Sequence, residues 1–199
     1  MTISSTQAEV AVSEASYTSW VYYKRELKIV RGEGARLFDV EGNTYIDCVS
    51  GHGVTNLGLG HPAVLQAVTK QANTLMICPE IFQTPVRAEY QAALCEATGM
   101  SRVFLSNSGT VAVEAAIKFA RASTGRTGIV AAMRGFHGRT LGSLSATWNS
   151  AYRDPFLPLV PEFTHVPFNN TEKLAAALNE HTAAVLLEVV QGEGGVIQA

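Results

Sequence analysis

The chain has 199 residues, 47% of them apolar and 16% charged, which allows one sizeable α/β domain, or a domain with an appendage, and excludes extensive disorder. A formal net charge of -2 excludes the broad basic field of a nucleic-acid binder. Cys48, Cys78 and Cys95 are odd in number and form no CxxC pair, so neither a disulfide framework nor a zinc site is expected and a reducing cytoplasm fits best. Met1 to Val10 is polar and acidic, and no stretch reaches the roughly 18 apolar residues of a membrane span, so export and membrane insertion are not expected.

In chain order, Ala8 to Tyr23 reads as a loose first helix. Leu27 to Asp47 alternates apolar and polar residues around the turn signals Gly32-Glu33-Gly34 and Glu41-Gly42-Asn43, the pattern of a small antiparallel meander. The glycine-rich stretch Ser50 to Pro62 reads as a loop feeding a helix whose first turn accepts Pro62. That helix is expected over Pro62 to Leu75, with Val64, Ala67, Val68 and Leu75 on one side, and another over Pro85 to Ala97.

From Arg102 the pattern changes to short apolar runs separated by helices. Arg102 to Ser106 reads as a strand, Thr110 to Ser123 as a helix closed by Gly125, and Gly128 to Met133 as a second strand, together a βαβ unit. A helix over Thr140 to Ala146, a strand over Phe163 to Val166, a helix over Thr171 to Asn179 and a strand over Ala183 to Leu187 follow. The expected fold is α/β with a mainly parallel sheet, preceded by the N-terminal helix and meander. No internal repeat or low-complexity linker is present.

Three segments could carry chemistry. Ser106-Asn107-Ser108-Gly109-Thr110 lies between a strand and a helix, where free N–H groups and the positive end of the helix dipole hold anions; a plain N-cap by Asn107 or Ser108 is the alternative. Without GxxxxGK[ST] or GxGxxG, one phosphate monoester suits it better than a triphosphate or a dinucleotide. Inside the helix, Val113, Ala116, Ile117 and Ala120 form an apolar stripe, and Glu114 and Lys118 are spaced for a structural i,i+4 pair on the exposed side. Phe136, His137 and Arg139 follow the second strand, at the carboxyl end of the sheet where ligands collect. The ring and the guanidinium suit a flat cofactor and a carboxylate, or else an ordinary surface loop. Glu188 continues an apolar strand, a costly place for an unpaired carboxylate and hence a site candidate. Lys24, Arg25, Lys28, Arg31 and Arg36 make the meander's start locally basic, as a solvated face or as a patch for an acidic partner.

The segments Asp39 to Asp47, Leu57 to Pro62, Ser106 to Thr110, Phe136 to Thr140 and Glu188 to Gly195, in that order, resemble the class III aminotransferases. The likeness is to the acetylornithine aminotransferase branch, and Ala131 to Thr140 with Tyr152 to Leu159 are similar to its members that act on aminoadipate semialdehyde carried on LysW, an acidic amino-group carrier protein. The resemblance implies a pyridoxal 5'-phosphate (PLP) dependent transferase of fold type I. Residues 1–50 would belong to the small-domain part and 51–199 to an incomplete PLP-binding large domain of a cytoplasmic homodimer serving arginine or lysine biosynthesis.

It further implies a cofactor site of Ser108, Gly109, Thr110, Phe136, His137 and Glu188, with Gly109 and Thr110 on the phosphate and Phe136 on the ring. Arg139 would grip the substrate's α-carboxylate and Glu193 would be the gating glutamate. Val111 and Val189 depart from the family's usual glutamate and proline. The aspartate for the pyridinium nitrogen and the Schiff-base lysine belong to the family's second half. Lys24, Lys28, Lys70, Lys118 and Lys173 match no such position, so these 199 residues are expected to be a fragment without catalytic residues and inactive alone. A non-catalytic α/β module holding a phosphorylated small molecule at Ser108 to Thr110 is the alternative.

Overall fold

The computed structural model describes Glu14, residues 16–19 and residues 21–199; half of the helix expected over Ala8 to Tyr23 lies outside them, and of the rest Glu14, Ser16 and Tyr17 are helical. The chain divides into two compact units, Met1–Thr84 and Pro85–Ala199.

In the first unit the meander forms as three antiparallel strands in sequence order, β1 (Ile29–Glu33), β2 (Arg36–Asp39) and β3 (Thr44–Ile46). Gly34, at φ 57°, makes the tight turn between the first two. Asp39 fixes the second turn. Its Oδ1 accepts from the N–H of Glu41 at 3.0 Å and of Asn43 at 2.8 Å, while its Oδ2 accepts from Asn43 Nδ2 at 3.0 Å and the Tyr45 hydroxyl at 2.8 Å. The Asn43 side chain, with these other donors, holds the Asp39 carboxyl below its ordinary pKa.

Helix α1 (Pro62–Thr74) starts with proline in its first turn. Its expected apolar side does not bury: Val64 and Val68 stay exposed, and the described helix holds no buried residue.

The second unit opens with α2 (Pro85–Thr98), then α3 (Gly109–Thr124), β4 (Gly128–Ala132), α4 (Leu141–Ala146), β5 (Phe163–Val166), α5 (Thr171–Ala177) and β6 (Thr182–Leu186). The sheet is parallel, in the order β5-β4-β6. Being central, β4 is buried throughout Ile129, Val130, Ala131 and Ala132, as expected of a strand covered on both faces. α4 packs on it, with Leu144 and Ala146 in the core. A two-stranded hairpin, β7 (Val190–Gln191) with β8 (Ile197–Gln198), follows.

One expected element is absent. Among the described residues, Arg102 to Ser106 pairs with no strand, so the βαβ unit lacks its first strand. A strand needs a ladder on at least one edge, and here Phe104 instead packs edge-on against Phe119 of α3, 5.4 Å between centroids.

Candidate functional site

α3 is a 16-residue helix with a defined start and end. Ser108 is its N-cap, accepting from the N–H of Val111 at 3.3 Å, and Gly125 closes it in the left-handed conformation at φ 68°. The cap leaves two donors over: among the described residues, the N–H groups of Gly109 and Thr110 have no acceptor. A Cβ built on Gly109 would meet nothing within 4 Å, so no other group packs on the helix start at that position. Capping and anion-binding capacity therefore coexist at one helix start.

Against this start lies the loop leaving β4. The parallel register of β4 and β6, with Ala131 opposite Leu186, brings the carboxyl ends of both strands side by side. Glu188 Oε2 consequently accepts from the Phe136 N–H at 3.2 Å, and Gln191 Nε2 donates to Met133 O at 2.9 Å. Gly135 makes this convergence possible. A Cβ there would stand 2.9 Å from Ala132 O, 3.1 Å from His137 Nε2 and 3.3 Å from Glu188 Oε2.

The loop is held from beneath by Thr147, 1% exposed. Its hydroxyl accepts from the His137 N–H at 2.9 Å and donates to Ser143 O at 3.2 Å. His137 is buried, and its Nε2 has no partner among the described residues. Burial, with a smaller repulsion from His165, lowers its pKa to about 4, so the imidazole is neutral at pH 7. Burial raises the Glu188 carboxyl, opposed by the Phe136 N–H and reinforced by the charge of Glu193.

Phe136 borders a cleft of about 470 Å³ also lined by Arg134, Trp148, Tyr152, Arg153 and Glu193. Tyr152 stands edge-on to the Phe136 ring, centroids 6.2 Å apart, and its hydroxyl reaches Glu193 Oε2 at 3.4 Å. Arg139 is exposed and does not line this cleft. Thus Phe136, His137 and Glu188 form one cluster, Glu193 joins it through the cleft, and Thr110, next in the chain to Ser108 and Gly109, meets it along the Gly138 to Ser143 loop. There the Thr110 Oγ1 lies 2.6 Å from Ser143 Oγ and 2.9 Å from Thr140 Oγ1.

The expected pair of Glu114 with Lys118 does not form. Glu114 is partly buried and turns to α4, where Oε1 accepts from Thr140 Oγ1 at 2.5 Å and from the N–H groups of Gly142 and Ser143 at 2.9 and 3.1 Å. Three such donors outweigh one solvated ammonium. The stripe turns with it, and Ala116 is exposed while Ile117 is buried. Sequence reasoning missed Thr147, Ser143 and Gln191, fully or almost fully buried polar residues that follow no apolar periodicity.

Among the described residues no helix is long and apolar enough to cross a membrane, and no cluster of three or more metal-ligating side chains occurs.

Comparison with known proteins identifies the family and the fold. Acetylornithine aminotransferase of Methanosarcina acetivorans is 45% identical over 188 residues, 94% of this chain and 48% of the relative. The [LysW]-aminoadipate semialdehyde transaminase of Deinococcus radiodurans is 48% identical over 188 residues, 92% of this chain and 44% of the relative. Ornithine aminotransferase from Toxoplasma gondii superposes with a TM-score of 0.88 at 28% identity, over 96% of this chain and 47% of that one. Taurine:2-oxoglutarate aminotransferase from Bifidobacterium kashiwanohense, solved in complex with PLP and glutamate, gives 0.87 at 26%, over 96% and 49%. The fold is that of the fold type I PLP-dependent transferases, and the chain spans about half the length of the relatives it matches. With the model of the Aminotransferase class-III family matching residues 19–199, the chain belongs to that family.

Proposed function

We propose that the whole protein carrying this sequence is a PLP-dependent transaminase moving an amino group between the ω-position of an N-acylated diamino acid and 2-oxoglutarate. The observation that carries this reading is the open start of α3, with two backbone donors lacking an acceptor among the described residues, beside a loop that carries an aromatic ring and binds a half-buried carboxylate.

The residues present fit the cofactor. A phosphate monoester takes the N–H groups of Gly109 and Thr110, the hydroxyl of Thr110 and the favourable end of the helix dipole, with Ser108 holding the turn. Phe136, edge-on to Tyr152, would stand against the ring. Glu188, fixed by the Phe136 N–H, would face its polar edge, near the neutral His137 imidazole. When bound, PLP supplies the aldehyde that receives amino groups and the electron-poor ring that stores an electron pair. Arg139 grips the substrate's α-carboxylate by paired charge-assisted hydrogen bonds, which leaves the far amino group to reach the cofactor. Glu193, held by Tyr152, is the gating carboxylate. None of the five lysines lines the cleft, so no catalytic lysine is assigned within these residues.

Residues 1–50 as a small-domain part and 51–199 as the cofactor-binding part, a homodimer and a cytoplasmic location belong to the same proposal, supported by the family membership. The acyl group is acetyl or an acidic carrier such as LysW, which the names of the relatives support equally. Of the basic stretch that would face such a carrier, Lys24 pairs with Glu14 at 2.7 Å and Arg31 with Glu33 at 2.6 Å. Part of that charge is therefore neutralised within the chain, which favours the small acetyl group.

The test is glutamate formation from 2-oxoglutarate by the complete gene product with PLP, offered N-acetylornithine or carrier-linked lysine. Turnover of the acetylated substrate supports the reading, turnover of the carrier-linked one alone replaces the acetyl assignment, and turnover of neither overturns the transaminase assignment.

A further inference from the structure

Two helix starts converge behind the candidate phosphate site, and they are treated differently. The start of α4 is filled by this chain's own carboxylate, Glu114, whose Oε1 takes the N–H groups of Gly142 and Ser143. The start of α3 keeps the Gly109 and Thr110 donors without an acceptor among the described residues. Glu114 sits one helical turn after Thr110, so both face the same loop.

Between them lies a triangle of hydroxyls. Thr110 Oγ1 is 2.6 Å from Ser143 Oγ and 2.9 Å from Thr140 Oγ1, and the latter two are 2.9 Å apart. Each hydroxyl has one proton. The Thr140 hydroxyl donates to Glu114 Oε1, so Thr140 Oγ1 is an acceptor towards Thr110 and Ser143. Ser143 Oγ reaches both Thr110 Oγ1 and the Thr140 carbonyl, so the triangle ties the loop to the first turn of α3 at Thr110. The packing admits no slack. Gly138 has φ 135°, and a Cβ on it would overlap Thr110 Oγ1 and stand 2.6 Å from Ser143 Oγ, while a Cβ on Gly142 would overlap the Glu114 carboxylate.

We propose that Glu114 is a positioning residue for phosphate binding: through Oε1 it locks the Gly138 to Ser143 loop onto the first turn of α3 and so fixes the Thr110 side chain beside the free N–H groups. The inference rests on the phosphate-site reading given above. It concerns an acceptor atom rather than a charge, because a carboxylate acting only through space would weaken phosphate binding.

The experiment compares the affinity of the complete gene product for PLP and for pyridoxal, which lacks the phosphate, by absorbance titration. Their ratio isolates the phosphate contacts. Wild-type protein prefers PLP. Glu114→Ala lowers that preference about 10-fold or more, the scale of one to two lost hydrogen bonds. Glu114→Gln, which keeps an oxygen at Oε1, stays within about threefold of wild type. Thr140→Val, which removes only the bridging hydroxyl, lowers the preference several-fold and decides the matter if Glu114→Ala does not fold. Equal losses for PLP and pyridoxal, or an unchanged preference in Glu114→Ala or Thr140→Val, overturn the inference. A wild-type protein without preference for PLP overturns instead the phosphate-site reading beneath it.

Discussion

Acidification provides a sharp test of the buried loop. His137 is 8% exposed, and its pKa falls from an ordinary 6.5 to about 4 because burial disfavours the imidazolium. Above pH 6.5 the folded and unfolded states both hold a neutral ring, and stability does not depend on it. As pH falls below 6.5 the unfolded chain binds a proton that the folded chain refuses, so stability drops until about pH 4, where the folded ring also titrates. The gap corresponds to about 3 kcal/mol, at about 1.4 kcal/mol per pH unit.

Glu188 acts in the opposite sense: its carboxyl is raised by burial, so its contribution grows as pH falls. It is common to wild type and variant, and cancels in their difference. Urea unfolding followed by circular dichroism at pH 7.5 and pH 4, on wild type and His137→Leu, measures that difference. Wild type should lose about 3 kcal/mol more than the variant over this interval. Equal losses would show that His137 titrates in the folded state as it does in water, and the account of an enclosed, neutral imidazole would be wrong.

Three further outcomes follow from the same packing. Gly138→Ala places a Cβ among the hydroxyls of Thr110 and Ser143 at φ 135°, and should destabilise by about 2–3 kcal/mol in the same urea assay. Thr147→Val keeps the shape but strips the buried His137 N–H of its acceptor, with an expected loss of about 1–3 kcal/mol and faster amide exchange at His137 by NMR. Tyr152→Phe removes only a long, exposed bond to Glu193 and should cost under about 1 kcal/mol in thermal unfolding; a larger loss would mean that the cleft wall is more tightly built than its geometry shows.

Local grammar made much of the second unit legible. The strand Phe163–Val166 and the helix between Ser108 and Gly125 follow from apolar runs bounded by caps and turns, and the meander from its alternation and glycine turns. What was not legible depended on distant partners. The run Arg102 to Ser106 has strand-like residues but no ladder among the described residues. Glu114 has a lysine four residues on, yet its donors come from a loop 26 to 29 residues away. Val64 and Val68 have helical spacing without burial, because periodicity records an apolar face and not what covers it. Thr147 and Gln191 are polar core residues that bond backbone groups of the site loops, and Ser143 bonds the hydroxyls of Thr110 and Thr140, roles that composition and spacing do not encode.

The central claim is that one phosphate group sits on the free donors at the start of α3. A crystal structure of the complete gene product grown with PLP tests it most directly. The account predicts phosphate oxygens at about 3 Å from the Gly109 and Thr110 nitrogens, with Phe136 against the ring. A phosphate held elsewhere, with those two N–H groups facing only solvent, would contradict it.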